Sequence, residues 1–202
     1  MTSQLQVDAV HSAVLSMDMQ AGIVSVYVKD PGLIPRAARV LQQARRAHVP
    51  IVHVRVGFRP GVPEASPRNL FLSAIKASQP HQRFFQNESG AIHPGVAPDE
   101  GDLVVTKSRV SAFAGTDLDL LLRAKDIHTL MVFGIATSGV VLSTVLQGAD
   151  MDYRIVVIKD CCVDLDPDLH TCLVERVLPR QAAVVSADAV VDALTVVAEN
   201  AD

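Results

Sequence analysis

Residues 129–150 of this chain read TLMVFGIATSGVVLSTVLQGAD, and they predict a strand, a short turn and a helix. The first six residues, 129–134, form an apolar run that ends at a glycine. Such a run is typical of a strand that is buried on both faces. Residues 138–150 follow as a helix, and a strand followed by a helix is the repeating unit of a parallel sheet.

The same alternation extends to both sides of this stretch. Further apolar runs predict strands at residues 13–17, 51–55, 102–106, 154–158 and 183–186. Helices are predicted at residues 34–48, 69–78, 117–125, 167–177 and 187–198. We therefore predict a three-layer, Rossmann-like α/β fold with a six-stranded, mostly parallel sheet and helices on both faces. No linker divides the chain, so we expect residues 1–202 to form one domain.

Two long segments interrupt this alternation. Residues 57–67 and 79–101 are rich in proline and glycine, and we predict that both are loops. Long loops in compact domains are often functional, so these two segments are expected to contribute to a site.

Composition restricts the partners of this protein. Of its 202 residues, 49% are apolar and 20% are charged, which excludes long disorder. The net charge is −4 and no long run of Lys and Arg occurs, so nucleic acid is not an expected partner. No apolar run reaches the roughly 18 residues that a membrane helix needs. Residues 1–11 do not have the pattern of a secretory signal, so we expect a cytoplasmic protein.

The three cysteines, Cys161, Cys162 and Cys172, give no sign of a disulfide framework, because their number is odd and two are adjacent. The chain has neither a CxxC nor a His-x-x-His spacing, so we expect no metal site and no cofactor. We interpret the cysteines as buried thiols that act as small apolar side chains.

Charged residues follow two of the predicted strands. Asp18 comes after the strand at 13–17, and Lys107 after the strand at 102–106. Ligands of parallel sheets bind outside the carboxyl ends of the strands, so both residues are candidates for a site. If they are neighbours, each favours the charged form of the other. A plain salt bridge at the edge of the sheet is an equally open reading at this point.

Three blocks resemble a known family. Asp18-Met19-Gln20 ends the first strand, residues 107–118 read KSRVSAFAGTDL, and Gly134-Ile135-Ala136-Thr137 ends the fourth strand. Their order and spacing are similar to those of the isochorismatase-like hydrolases, part of the cysteine hydrolase superfamily. The resemblance spans residues 13–186. It implies a six-stranded parallel sheet, a small-molecule substrate and a homo-oligomer, either a dimer or a tetramer.

The resemblance also implies roles for single residues. Most members of the family use an Asp, a Lys and a Cys, and Asp18 and Lys107 match the first two. The position of the Cys nucleophile is occupied by Val140, which cannot attack a carbonyl carbon. The backbone N–H groups of Ala136 and Val140 match the oxyanion hole of the family, and the peptide bond between Ile135 and Ala136 is expected to be cis.

Our first hypothesis is a hydrolase that acts on a small polar metabolite without a cysteine nucleophile. Asp18 is then the general acid or base, and Lys107 is its electrostatic partner. The isochorismatases of the family also lack the Cys and cleave a vinyl ether after protonating the enol carbon, whereas Ala136-Thr137 resembles the amidase-like form. The cleaved bond, ether or C–N, is therefore open. A general acid needs a raised pKa on Asp18, which Lys107 opposes.

Two alternatives belong beside this hypothesis. The chain can be an inactive member of the family that binds a metabolite or a protein. It can also be a cysteine-type amidohydrolase, if the match of Val140 to the Cys position is wrong.

Four further residues are candidates for substrate binding: Arg109, Phe113, Thr137 and Ser138. Arg109 can hold a carboxylate through two hydrogen bonds or form a surface pair. Phe113 can line a pocket or belong to the core. Ser138 can also be the N-cap of the helix at 138–150.

Overall fold

The computed structural model describes residues 5–199, and its centre is a six-stranded parallel sheet. The strands are β1 Ser12–Met17, β2 Ile51–Val56, β3 Leu103–Lys107, β4 Thr129–Gly134, β5 Arg154–Ile158 and β6 Ala183–Val185. They lie in the order β3-β2-β1-β4-β5-β6, and every neighbouring pair is parallel. The predicted fold class is confirmed, and no observed strand end differs from its predicted position by more than one residue.

Helices connect the strands and cover the sheet. Their bounds are α1 Ala21–Tyr27, α2 Leu33–Arg46, α3 Leu70–Ala77, α4 Gln79–Arg83, α5 Asn87–Gly90, α6 Leu118–Ala124, α7 Leu142–Asp150, α8 Pro167–Cys172 and α9 Ala187–Glu199. The strand order reverses between β1 and β4. Because crossovers between parallel strands are right-handed, the connections on the two sides of this point lie on opposite faces of the sheet. None of the helices within residues 5–199 is long and apolar enough to cross a bilayer.

Three short helices occupy segments that the sequence did not predict as helical. α1 contains Ile and Val, which are poor helix formers, and α4 and α5 have only five and four residues. α4 and α5 lie within the predicted loop at 79–101, and α5 packs against α1. Tertiary packing rather than local propensity stabilises these helices. The prediction of one domain over residues 1–202 extends beyond the described residues and stays a prediction.

The predicted helix at 138–150 is divided. Residues Thr137–Val141 form a single wide turn, and the regular helix α7 begins only at Leu142. Gly139 lies in this turn with φ −97° and ψ −105°, which is outside the helical region. The predicted helix at 167–177 is divided in the same way, into α8 and a wide turn at Leu173–Val177.

Gly134 permits the close approach of β1 and β4, the two strands at which the order reverses. Gly134 is paired with Met17, and its φ of +153° is one that side chains disfavour. A Cβ atom on Gly134 would lie 2.1 Å from the carbonyl oxygen of Met17. The N–H of Ile135 donates to that same oxygen at 3.2 Å. Glycine is therefore required for the two strands to end side by side.

Gln20 ties the end of β1 to two other parts of the chain. Its side chain is fully buried, and its Oε1 accepts from the N–H of Val56 at 2.7 Å. Its Nε2 donates to the carbonyl oxygens of Val56 and Gly90, both at 3.0 Å. The amide thus links β1 to the end of β2 and to α5, which holds residues 57–90 over the carboxyl edge of the sheet.

We expect Gly134→Ala to destabilise the fold by at least about 4 kcal/mol, because the new Cβ collides with backbone. Gly115→Ala is the matched control. Gly115 has φ +73°, but a Cβ atom added there would meet open space, so only the conformational cost of roughly 1–2 kcal/mol applies. Urea unfolding measures both. Equal losses of stability in the two variants would contradict the proposed close approach.

Candidate active site

Asp18 and Lys107 meet at the carboxyl edge of the sheet. Asp18 follows β1 with a left-handed φ of +56°, and its N–H donates to the carbonyl oxygen of Val54 at 2.8 Å. Lys107 is the last residue of β3, and β2 lies between β3 and β1. The Lys107 Nζ atom is 2.8 Å from the Asp18 Oδ2 atom, and the side chains are 2% and 7% exposed. The two candidate residues are thus neighbours, and the pair is buried.

Burial and the lysine act on Asp18 in opposite directions. Burial, the larger effect, raises the pKa of the Asp18 carboxyl to about 6, although the Lys107 ammonium lowers it. The second carboxylate oxygen, Oδ1, is buried and has no hydrogen-bond partner. Lys107 Nζ also donates to the carbonyl oxygen of Arg109 at 3.0 Å. The protein thus leaves one oxygen of this buried carboxyl group without a hydrogen-bond donor.

A cavity of about 670 Å³ opens at this edge of the sheet, within the usual size range of small-molecule sites. We call it the main cavity. Its floor holds the polar side chains of Asp18, Lys107 and Ser138 and also includes Ala136 and Val140. Its opposite wall is largely apolar and comes from α1 and from residues 58–85. These residues belong partly to the two segments at 57–67 and 79–101 that were expected to contribute to a site.

The loop after β4 forms one side of the floor. The peptide bond between Ile135 and Ala136 is cis, as the family resemblance implied. The N–H of Thr137 donates to the carbonyl oxygen of Val163 at 3.0 Å. The N–H of Ser138 donates to Asp164 Oδ2 at 2.7 Å. The turn is thus held by residues that follow β5, and Ala136 and Val140 border the cavity.

The prediction that Ser138 caps a helix is wrong. Ser138 lies inside the wide turn Thr137–Val141, and no side chain caps that turn at its N-terminal residue, Ala136. The carboxylate that accepts the Ser138 N–H belongs to Asp164, 26 residues further along the chain. Ser138 itself lines the main cavity, where its hydroxyl group can contact a ligand.

Two of the predicted substrate-binding residues are not among those that line the cavity. Thr137 is fully buried, and its hydroxyl group is 2.8 Å from His170 Nδ1. Phe113 is also buried and stacks on Tyr153 with 5.6 Å between ring centroids. Neither side chain lines the cavity, so the expectation that either one contacts the substrate is wrong. Arg109 lies at the exposed rim of the cavity and donates to the Ser108 carbonyl oxygen at 2.7 Å.

None of the three cysteines lines the main cavity. Cys161 and Cys162 are buried, and burial raises the pKa of both thiols, that of Cys162 to about 12. Cys172 is exposed on α8. The raised pKa of the Cys161 and Cys162 thiols is the opposite of what a nucleophile needs, and Cys172 does not line the cavity. Within residues 5–199, no group of three or more His, Cys, Asp or Glu side chains is arranged to hold a metal ion.

Sequence reasoning missed several residues that shape the site. His170 and Asp164 hold the turn after β4, and both come from the segment after β5. The aromatic side chains of the apolar wall come from residues 27–85 and share no motif. Of these, Phe58, Phe84 and Phe85 lie in the two proline- and glycine-rich segments, whereas Tyr27 and Phe71 had no signal in the sequence.

Known proteins resemble this chain in sequence and fold. The family profile described as isochorismatase domain matches residues 12–189. The isochorismatase family protein YwoC of Bacillus subtilis is 28% identical over 89% of this chain and 92% of its own length. The ureidoacrylate amidohydrolase RutB of Methylorubrum extorquens is 34% identical over 67% of this chain and 58% of its own length. A solved isochorismatase family protein from Burkholderia thailandensis has a TM-score of 0.83 and 27% identity, covering 96% of this chain and 100% of that one.

We expect the Asp18 carboxyl to titrate near pH 6, because burial outweighs the nearby ammonium. Lys107→Met should raise this pKa further, since it removes the charge that favours the carboxylate. Carboxyl-carbon NMR measures both titrations. Lys125→Met, which changes an exposed lysine after α6, is the control and should leave the titration unchanged. A midpoint near the ordinary value of about 4 in the parent would refute the burial argument.

Proposed function

Since this chain belongs to the isochorismatase family, we propose that it is a hydrolase that cleaves a small-molecule substrate without a covalent cysteinyl intermediate. One observation carries the proposal. At the floor of the main cavity, Asp18 lies beside Lys107 with its second carboxylate oxygen unpartnered, and no thiol of residues 5–199 lines the same space. Asp18 is the general acid or base, and Lys107 is its electrostatic partner.

The ionisation state of Asp18 distinguishes two reactions at this site. The protonated carboxyl can give its proton to the enol carbon of a vinyl ether, after which water adds to the resulting cation and the alcohol leaves. The ionised carboxylate can instead remove a proton from water that attacks the carbonyl carbon of an amide. In that case the amine leaves with a proton, and Val140 plays no covalent part. With a pKa of about 6, both forms of Asp18 are available near neutral pH.

The remaining residues of the floor have supporting roles in this proposal. The N–H groups of Ala136 and Val140 are the proposed donors to a developing oxyanion, by resemblance to the family. Val140 borders the cavity with Asp18 and Lys107, which supports its match to the nucleophile position. Arg109 at the rim and Ser138 on the floor are the proposed substrate-binding side chains.

The cysteine-type alternative has no support in the geometry, because Cys161, Cys162 and Cys172 all lie outside the main cavity. An inactive member of the family is the competing possibility. The retained Asp18–Lys107 pair favours an enzyme, since a cavity that only binds has little need for an unpartnered, buried carboxylate oxygen.

Hydrolysis of a panel of amides and vinyl ethers tests this proposal. Asp18→Asn should lower kcat by about 10²–10⁴-fold, because a positioned acid or base contributes a factor of that size. The exposed Asp150→Asn is the matched control and should be fully active. For amides, kcat/KM should rise as pH increases through about 6, since the base must be ionised; for vinyl ethers it should fall.

Thiol alkylation provides the second arm of this test. Iodoacetamide should leave activity unchanged, and intact-mass spectrometry during turnover should show no covalent adduct. Activity in Asp18→Asn equal to that of the parent would overturn the role of Asp18. Inactivation by iodoacetamide that persists in Cys172→Ala would point back to a cysteine nucleophile.

We also propose a homo-oligomer, a dimer or a tetramer, on the basis of the family resemblance. Exposed apolar side chains such as Val10, Leu70 and Leu146 are suitable for a subunit contact. A sedimentation mass near the 21.6 kDa of one chain at micromolar concentration would contradict this assembly.

A further inference from the structure

Aromatic side chains are concentrated around one cavity in a chain that has few of them. The sequence contains six Phe, two Tyr and no Trp. Four of the Phe and one Tyr line the main cavity, namely Tyr27, Phe58, Phe71, Phe84 and Phe85. The other two Phe, Phe113 and Phe133, are buried in the core beside the sheet. The apolar wall of the cavity therefore holds most of the aromatic surface of this protein.

This wall is not simply part of the core. A small cluster of buried residues, Val62, Ala65, Leu72 and Ile75, stabilises the segment over the sheet edge. Phe58 and Phe85 pack against this cluster and meet edge to face, with 5.4 Å between ring centroids. Both rings are only half-buried, and Phe71 is 60% exposed. Their remaining apolar surface faces the cavity or its mouth, where a bound molecule can cover it.

Charge at the cavity is confined to the floor and the rim. The carboxylate of Asp18 and the ammonium of Lys107 compensate each other at 2.8 Å. Arg109 at the rim is the remaining residue with a permanent charge among those lining the cavity. The aromatic wall offers few polar partners, namely the Tyr27 hydroxyl group and the His81 imidazole, and burying many polar groups without hydrogen bonds is costly.

We propose that the substrate of this site has an aromatic ring or a branched alkyl group beside the bond that is cleaved. The reacting amide or vinyl ether lies on the floor at Asp18, and the apolar body lies against the wall of phenylalanines. This inference rests on the proposed function and replaces the expectation of a small polar metabolite that came from the sequence. The single uncompensated charge at Arg109 leaves room for one carboxylate at the rim.

Three primary amides with the same reacting group test the proposal: acetamide, succinamic acid and 3-phenylpropanamide. Binding to the parent protein is measured by calorimetry, and hydrolysis is followed in the same samples. 3-Phenylpropanamide should bind about 30-fold more tightly than acetamide, because burial of a phenyl ring has an effect of that order. Succinamic acid should bind no more than a few-fold more tightly than acetamide.

Two exposed apolar residues give matched variants. Phe71→Ala removes a ring at the mouth of the cavity and should weaken 3-phenylpropanamide several-fold while leaving acetamide unchanged. Leu120→Ala changes a residue on α6 that is 68% exposed and does not line the cavity, so it should affect neither amide. Equal affinity for all three amides, or tightest binding of succinamic acid, would overturn the proposal. So would a Phe71→Ala protein that loses subunit association but keeps its affinity for every amide, because the wall would then be a subunit contact.

The two proposals fail in different ways. Asp18-dependent hydrolysis that is restricted to small polar substrates would refute the apolar substrate class and leave the hydrolase intact. Tight binding of 3-phenylpropanamide without Asp18-dependent hydrolysis of any amide or vinyl ether would support the apolar site and refute the proposed function.

Discussion

The buried ion pair between Asp18 and Lys107 sets the main constraint on this structure. Removing a carboxylate and an ammonium from water costs roughly several kcal/mol for each ion, and their attraction repays this cost only with good geometry. The Lys107 ammonium has two acceptors, Asp18 and the carbonyl oxygen of Arg109. Asp18 is less well satisfied, since one oxygen has no partner. The fold therefore keeps a carboxyl group in an environment that favours its neutral form.

Two residues, Gly134 and Gln20, make that burial possible. Gly134 lets β1 and β4 end side by side, so the cavity lies at the point where the strand order reverses. Gln20 satisfies backbone groups of Val56 and Gly90 and so fixes the segment that covers the sheet edge. Without this cover, water would solvate Asp18, and its pKa would lie near the ordinary value.

The apolar wall of the cavity and the lack of a thiol among its lining residues both bear on the proposed reaction. In the proposed reaction, a proton transfer from or to Asp18 replaces the covalent step that a cysteine would perform, and its efficiency depends on a pKa near the working pH. The phenylalanines that line the same cavity as Asp18 are, in our proposal, the surface that binds the apolar body of the substrate.

The sequence by itself determined the strands, because buried parallel strands leave continuous apolar runs, and it determined that Asp18 and Lys107 end two of them. Motif spacing also indicated the family and the place of Val140. Only the tertiary structure decided that burial outweighs Lys107 in setting the pKa of Asp18, since desolvation depends on atoms that folding brings around the carboxyl group. It also decided that Phe113 and Thr137 do not line the cavity. In the turn after β4, the Asp164 carboxylate accepts a backbone N–H, and the Ser138 side chain caps no helix. These outcomes depend on contacts between residues far apart in the chain, which local periodicity does not record.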